Sequence, residues 1–264
     1  MDLFFATARE AAGLLLGGAP HVIEIVLRSL RVSGSAVLLG VLIGLPIGVG
    51  VGLGRFPGRR IVVTLIHTGF ALPPVVVGLF VYMMVSRSGP LGTLDLLFTP
   101  SAMIVAQALL AAPYVAGITL AAVQAVPYDV RHQARALGAS PTRALWTHLR
   151  EARLGLGAAV VAGFGAVISE VGAVMLVGGN IMGETRVMTT AIVLETRRGN
   201  FALALALGLV LLLIAFAVNL ALTRIQQGRP AWDRGPWART ASDRGHVGLS
   251  ARSPEGAAAG HEPL

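Results

Sequence analysis

Residues 128–153, YDVRHQARALGASPTRALWTHLREAR, form a charged insert between two strongly apolar segments. Gly138 predicts the end of a first helix, because glycine readily adopts the left-handed conformation that closes many helices. Ser140 and Pro141 predict the start of a second helix, with the serine hydroxyl as N-cap and the proline in the first turn. The insert therefore predicts two helices joined by a tight turn, and we call residues 128–153 the elbow.

Both predicted helices of the elbow carry an apolar side. The apolar positions are Ala134, Ala136 and Leu137 in the first helix and Leu145, Trp146 and Leu149 in the second. Their spacing is that of an amphipathic helix, with Arg143 and Arg150 beside the second stripe. We expect the elbow to lie outside a bilayer and to be held by a partner; an ordinary loop between two membrane spans is the alternative.

The composition of the chain predicts a membrane protein. Apolar residues make up 55% of the 264 positions and only 13% of the residues are charged, unlike an average soluble protein. Five apolar segments, each about 20 residues long, can cross a bilayer as helices. They lie near residues 32–54, 61–85, 101–125, 156–178 and 201–223. The expected fold class is all-α, a polytopic membrane protein with about five transmembrane helices.

Several classes of function are excluded by what the sequence lacks. There is no cysteine, so disulfides, thiolate metal sites and cysteine nucleophiles are ruled out. No paired carboxylates, metal-spaced histidines or nucleophile motif appear, so we expect no catalytic residues and no metal site. The net charge of +8 is distributed between the spans, which does not favour nucleic-acid binding. Without a P-loop the chain cannot itself be an ATPase.

The distribution of arginine predicts the orientation of the spans, because the cytoplasmic loops of membrane proteins are enriched in basic residues. With five spans, one face holds 14 arginines: Arg55, Arg59, Arg60, Arg131, Arg135, Arg143, Arg150, Arg153, Arg224, Arg229, Arg234, Arg239, Arg244 and Arg252. The other holds 7: Arg9, Arg28, Arg31, Arg87, Arg186, Arg197 and Arg198. We therefore expect the elbow and the C-terminus in the cytoplasm and the N-terminus outside.

The two ends of the chain differ from its apolar middle. Residues 1–31 contain short apolar patches broken by charged residues, glycine and proline, which indicates an extracytoplasmic or interfacial segment. A cleaved signal peptide is disfavoured by the acidic Asp2 near the start. Residues 224–264 are rich in arginine, glycine and proline without apolar periodicity, and predict a disordered cytoplasmic tail.

Glycine and proline mark two of the predicted spans. The first span carries glycines four residues apart, at Gly40, Gly44, Gly48 and Gly52. Small residues on one helix face allow two membrane helices to approach closely. In the second span, Pro73 and Pro74 remove hydrogen-bond donors and predict a break within the membrane. Such a break can line a translocation pathway or be a purely structural kink.

Polar residues in and after the fourth predicted span are candidates for a translocation pathway. Ser169 and Glu170 interrupt the span, and an ionisable group within a bilayer is costly enough to indicate a function; a carboxylate hydrogen-bonded to a neighbouring helix is the alternative. Gly178, Gly179 and Asn180 predict a turn. The hydroxyls of Thr189 and Thr190 could donate to a desolvated oxyanion, unless this segment has no substrate contact.

The elbow resembles the coupling loop of ABC importer permeases. Ala134 and Gly138 match the family pattern and the continuation Ala139-Ser140-Pro141 is common in it, whereas His132 and Gln133 replace the usual Glu-Ala. The resemblance implies that this loop contacts a separate ATPase subunit. The residues implied in that contact are Ala134, Arg135, Leu137, Gly138, Ala139, Ser140 and Pro141.

Other stretches are similar to the tungstate-type permeases of the molybdate/tungstate/sulfate importer group. They are Leu72–Leu79, Ser88–Gly92, Glu170–Met175 and Gly178–Ile181. The resemblance implies a type I ABC importer permease, with residues 32–223 as the transmembrane permease domain in the bacterial cytoplasmic (inner) membrane. It implies import of a tetrahedral oxyanion, tungstate first and molybdate second, by alternating access.

The same resemblance implies the partners. They would be a second copy of the chain, with the pathway on the two-fold axis, two ABC ATPase subunits that carry ATP and Mg, and an extracytoplasmic substrate-binding protein. The chain itself would hold no cofactor and perform no catalysis. A permease for sulfate or another small solute, a non-transporting membrane scaffold and a membrane-embedded enzyme are the alternatives.

Overall fold

The computed structural model describes residue 7, residues 9–13, residue 17 and residues 20–227 of the chain. Within residues 20–227 the regular structure is helical, without a strand. The helices are α1 (Pro20–Leu53), α2 (Arg59–Phe70), α3 (Pro74–Val85), α4 (Pro100–Ala125), α5 (Tyr128–Ala136), α6 (Pro141–Ile168), α7 (Gly172–Gly178), α8 (Met188–Arg197) and α9 (Phe201–Gln227), with a 3-10 turn at Gly92–Leu94. The all-α prediction is confirmed.

Four helices, α1, α4, α6 and α9, are long and apolar enough to cross a membrane. Helices α2 and α3 together are also apolar enough, but they are bent by 100° at the break between them. Pro74 stands in the first turn of α3, and the preceding Pro73 is in an extended conformation that cannot continue α2. The predicted number of about five spans is reached when this bent pair counts as one.

The helices differ from two of the predicted segments in their bounds. Helix α1 starts at Pro20, before the predicted start of the first span at residue 32. The predicted span at 156–178 is two helices, because α6 ends at Ile168 and α7 begins only at Gly172. Helix α6 instead begins in the elbow and runs without interruption into the apolar segment, since nothing between Pro141 and Ile168 stops it.

The predicted end segments are only partly within the described residues. Residues 20–31 of the N-terminal segment are the first turns of α1, and residues 224–227 of the predicted tail are the last turn of α9. Residues 228–264, which make up most of the predicted tail, lie outside the described residues.

Helix α1 packs along α4 through its glycine face. A Cβ placed on Gly40 would lie 2.7 Å from the Ala111 Cβ, and one on Gly44 would lie 2.5 Å from the Ala112 carbonyl oxygen. Any larger residue would therefore push the two helices apart. The prediction that these glycines serve a close helix approach is confirmed, and the neighbour is a helix of the same chain.

The buried core lies where α1, α3, α4 and α7 meet, around Met103, Ala106 and Val174. Gln107 of α4 is buried there, and its Nε2 donates to the Val167 carbonyl oxygen at 2.8 Å. Because the last carbonyls of a helix lack partners within it, this bond stabilises the end of α6. The C-terminal end of α6 therefore lies in the buried core.

Candidate functional site

The first half of the elbow closes with backbone hydrogen bonds around Gly138, which has φ +87°. The Gly138 N–H donates to the Arg135 carbonyl at 2.9 Å, and the Ala139 N–H donates to the Ala134 carbonyl at 3.0 Å. This pair of bonds is the Schellman arrangement, which satisfies carbonyls that the helix itself leaves unpaired. The predicted left-handed helix end at Gly138 is confirmed.

The second half of the elbow starts as predicted. Ser140 is the N-cap of α6, and its hydroxyl accepts from the Arg143 N–H at 3.4 Å. Pro141 occupies the first turn, where its missing N–H costs nothing because that donor would have no partner in the helix. The elbow is thus a rigid joint built from short-range bonds.

Two large apolar side chains of the elbow are exposed. Leu137 is 89% exposed and Trp146 is 70% exposed. The buried face of α6 here consists of Ala144, His148 and Ala152, which the apolar pattern did not identify because the middle residue is polar. The His148 Nε2 lies 2.9 Å from the Val123 carbonyl oxygen of α4. An exposed leucine and tryptophan on a rigid joint are typical of a surface that binds another protein.

The two helix breaks of the bundle lie side by side. Gly78 of α3 is so close to α7 that a Cβ would lie 2.5 Å from the Ala173 Cα. A Cβ on Gly172 would lie 2.6 Å from the Val75 Cγ2. Since Val75 directly follows Pro73-Pro74, the predicted pathway residues of the second span meet those around residue 170. We call residues 71–75 and 169–172 together the paired break.

Glu170 is half-buried, and its side chain caps the N-terminus of α7. Its Oε1 accepts from the Ala173 N–H at 3.0 Å, and its carbonyl oxygen accepts from the Thr189 hydroxyl at 2.8 Å. A carboxylate at a helix N-terminus also interacts favourably with the helix dipole. Ser169 is exposed, and its hydroxyl donates to the Gly165 carbonyl at 2.8 Å. The carboxylate therefore has a structural partner within the chain.

The predicted turn after α7 is present. Gly179 and Asn180 both have positive φ, at 69° and 55°. Gly178 has no room for a side chain, because a Cβ would lie 2.8 Å from the Met103 sulfur. The Thr185 hydroxyl accepts from the Ile181 N–H and donates to the Gly178 carbonyl. The turn therefore packs against the core and is held by the hydrogen bonds of Thr185.

Thr189 and Thr190 do not have the free hydroxyls that the sequence predicted. The Thr189 hydroxyl donates to the Glu170 carbonyl, and the Thr190 hydroxyl donates to the Val187 carbonyl at 3.1 Å. Both side chains are buried. Since a hydroxyl has one proton, neither can also donate to an anion in this conformation. In this conformation the Thr189 hydroxyl holds α8 against the paired break and the Thr190 hydroxyl closes the start of α8, while their place in the pathway stays a prediction.

Among residues 20–227, no three histidine, aspartate or glutamate side chains come close enough to hold a metal ion.

Comparison with known proteins identifies this architecture. Residues 40–229 match the family described as the binding-protein-dependent transport system inner membrane component. The chain belongs to this family. It is a membrane-spanning permease subunit of the ABC importer type, as the resemblance of the elbow predicted.

Three relatives of the chain are named as anion, tungstate or molybdenum permeases. It is 45% identical to a probable anion ABC transporter permease protein of Haloferax volcanii, over 80% of this chain and 93% of that protein. It is 39% identical to the tungstate uptake system permease protein TupB of Peptoclostridium acidaminophilum, over 83% and 96%. Identity falls to 28% for the molybdenum permease ModB of Escherichia coli, over 78% and 95%. The predicted closeness to tungstate-type permeases is confirmed.

The permease fold recurs in a solved structure with little sequence similarity. The inward-facing MetNI methionine ABC transporter aligns with a TM-score of 0.61 and 21% identity, over 77% of this chain and 94% of that chain. The predicted type I permease fold is confirmed by this likeness.

Proposed function

We propose that this permease is the transmembrane subunit of an ATP-driven importer for a tetrahedral oxyanion, tungstate first and molybdate second. The observation that carries the proposal is the outward-facing elbow at the end of a membrane-length helix. The 39% identity to a tungstate uptake permease supports the substrate. The elbow and the C-terminus would lie in the cytoplasm and the N-terminus outside the cytoplasmic membrane.

The elbow would transmit the ATPase cycle through α6. This helix has 28 residues, from Pro141 in the elbow to Ile168 beside the paired break. At 1.5 Å per residue, it is a rod of about 42 Å. Closure of the ATPase subunits on ATP would displace Leu137 and the joint around Gly138. Because the joint is rigid, the displacement would reach Ser169 and Glu170 at the other end of the rod.

The paired break would serve as the moving part of the gate. It contains two interruptions, α2–α3 and α6–α7, which pack against each other where Gly172 lies against Val75. A break between two rigid helices can absorb changes in φ and ψ, so it suits a hinge. Rotation there would open the pathway alternately to the two sides of the membrane.

A second copy of the chain would complete the pathway. The start of α3 presents Val75, Val76 and Leu79 at its exposed surface, directly after the two prolines. In a homodimer these side chains would face the two-fold axis, with the paired break of each copy beside them. An extracytoplasmic binding protein would deliver the anion there and supply most of the selectivity.

The test is ATPase activity of the permease in nanodiscs with its ATPase and its binding protein, while tungstate, molybdate and sulfate are titrated. We expect stimulation at the lowest concentration of tungstate, weaker stimulation by molybdate and none by sulfate. Stimulation by sulfate alone would contradict the substrate but not the importer. An ATPase that does not co-purify with the permease would contradict the importer itself.

A further inference from the structure

A basic cleft lies at the elbow end of the bundle and has no role in the pathway described above. Its volume is about 330 Å³, and it lies between the end of α1, the start of α2, the end of α4 and the elbow. Arg55, Arg59 and Arg131 line it, from the α1–α2 turn, α2 and α5 respectively. No carboxylate is among the side chains that line it. We call this the arginine cleft.

Two of these arginines keep donors available. The Arg59 Nε donates to the Val51 carbonyl at 2.8 Å, which holds its guanidinium at the end of α1. In the part of the chain that the structure describes, neither its terminal nitrogens nor Arg131 forms a hydrogen bond or an ion pair. Two guanidinium groups with available donors beside one small cleft repel each other, so the arrangement of Arg59 and Arg131 favours a bound anion.

A buried histidine lines the same cleft. His148 is 2% exposed, and its Nε2 is engaged with the Val123 carbonyl. Its Nδ1 is buried and has no hydrogen-bond partner among the described residues. Because a buried polar atom without a partner is unfavourable, the site requires a further group or a water beside this nitrogen.

The chemistry of the arginine cleft selects the class of anion. Guanidinium groups pair with the oxygens of phosphate-like groups through parallel hydrogen bonds, and several of them can surround one tetrahedral centre. Basic clefts between the ends of membrane helices also bind the phosphates of lipid headgroups. A free oxyanion and a headgroup phosphate therefore present the same chemistry to this site.

We propose that the arginine cleft binds one tetrahedral oxyanion group and thereby ties the elbow to the α1–α2 turn. The anion would bridge Arg131 of α5 to Arg59 at the start of α2, two residues that are distant in sequence and line the same cleft. Its binding would restrain α5 relative to the bundle. The proposal depends on these side chains and not on which substrate the permease transports.

The test uses the full chain in nanodiscs and two kinds of probe. In phosphatidylcholine discs, equilibrium dialysis measures the binding of free phosphate and of tungstate. In discs that also contain phosphatidylglycerol, native mass spectrometry counts the retained anionic lipids. The variant is Arg131→Gln, which removes no hydrogen bond within the described residues and should fold normally. The control is Arg143→Gln, an exposed arginine of the elbow outside the cleft.

We expect Arg131→Gln to weaken binding of at least one probe by tenfold or more, and Arg143→Gln to change it less than twofold. Loss of free-anion binding would identify a soluble ligand, and loss of phosphatidylglycerol alone would identify a lipid headgroup. Adding Arg59→Gln to Arg131→Gln should deepen whichever loss is seen. Unchanged binding of both probes in Arg131→Gln, or an equal loss in Arg143→Gln, would overturn the proposal.

Discussion

The elbow and the paired break are built by different kinds of contact. The elbow is closed by bonds between residues three to five apart, such as Ala139 to Ala134 and Arg143 to Ser140. The paired break is held by residues farther apart in sequence: the Thr189 hydroxyl donates to the Glu170 carbonyl at 2.8 Å, and Gly172 lies against Val75. A joint made of local bonds can move as a unit, whereas a break held by distant contacts changes only when whole helices shift.

The elbow and the paired break also differ in which side chains are exposed. Leu137 and Trp146 of the elbow lie at the surface, while Thr189 and Thr190 beside the paired break are buried. Exposed apolar side chains are available to a partner, and buried hydroxyls are not available to a substrate. The elbow is therefore suited to receive a force, and the paired break to respond to it.

The largest effect is expected from Gly78→Val, which crowds the contact between α3 and α7 beside the paired break. A Cβ at this position would lie 2.5 Å from the Ala173 Cα, so α3 and α7 would have to separate. We expect a loss of stability of about 2–3 kcal/mol, measured as a lower unfolding midpoint by size-exclusion chromatography after heating. The control is Gly208→Val, at a glycine with open space around it. Equal midpoints for the two variants would contradict the tight packing.

In the elbow, Leu137→Asp should leave the stability of the permease almost unchanged but weaken its binding to the ATPase. Leu137 is almost fully exposed, so its replacement should change stability by less than about 0.5 kcal/mol. A charge on the proposed ATPase contact should nevertheless weaken co-purification of the ATPase at least tenfold, or about 1.4 kcal/mol. Thr147→Asp adds the same charge at another exposed elbow position and should retain the ATPase. If both variants retain it equally, Leu137 is not at the contact.

Gly138→Ala tests whether the rigidity of the joint matters. At φ +87° an alanine is strained by about 1–2 kcal/mol, so the turn should shift while the helices on either side persist. We expect ATP hydrolysis to continue with several-fold less substrate uptake per ATP. Reconstituted proteoliposomes with both rates measured would detect this loss. Unchanged coupled uptake would show that the left-handed turn is not needed to position the elbow.

The smallest effect should come from Glu170, and two variants separate its charge from its hydrogen bond. Glu170→Gln keeps an oxygen that can accept from the Ala173 N–H, whereas Glu170→Ala removes it. We expect Ala to cost about 1 kcal/mol and Gln clearly less, since capping bonds contribute about that amount. Unfolding midpoints measure the difference. A transport change in Gln without a stability change would indicate that the charge itself faces the anion.

Much of the elbow could be predicted from sequence because its bonds are local. Gly138, Ser140 and Pro141 each determine the backbone conformation of their own neighbourhood, and the structure places the helix ends where they indicate. The polar residues around the paired break could not be assigned in this way. Thr189 appeared to be a free donor, because nothing in its own segment indicates that its proton goes to the carbonyl of Glu170.

The apolar pattern also misplaced a helix for a physical reason. Hydropathy measures the suitability of a segment for lipid, and residues 156–178 are apolar throughout apart from Ser169 and Glu170. Where the helix ends, the Val167 carbonyl accepts from Gln107 of another helix and from the Glu170 N–H, and the Glu170 carboxylate caps the start of α7. The partner that stabilises this stop is sixty residues away in the chain.

The sequence by itself determined that this chain is an all-helical membrane protein with a tight, exposed joint, since composition and helix caps act over a few residues. Only the tertiary structure decided that the two breaks lie together, that the threonine hydroxyls are engaged, and that Arg55, Arg59, Arg131 and His148 line one cleft. These features depend on which helix faces lie against each other. That choice follows from the packing of the whole bundle, in which the glycines of α1 allow α4 to approach closely enough to organise the other helices.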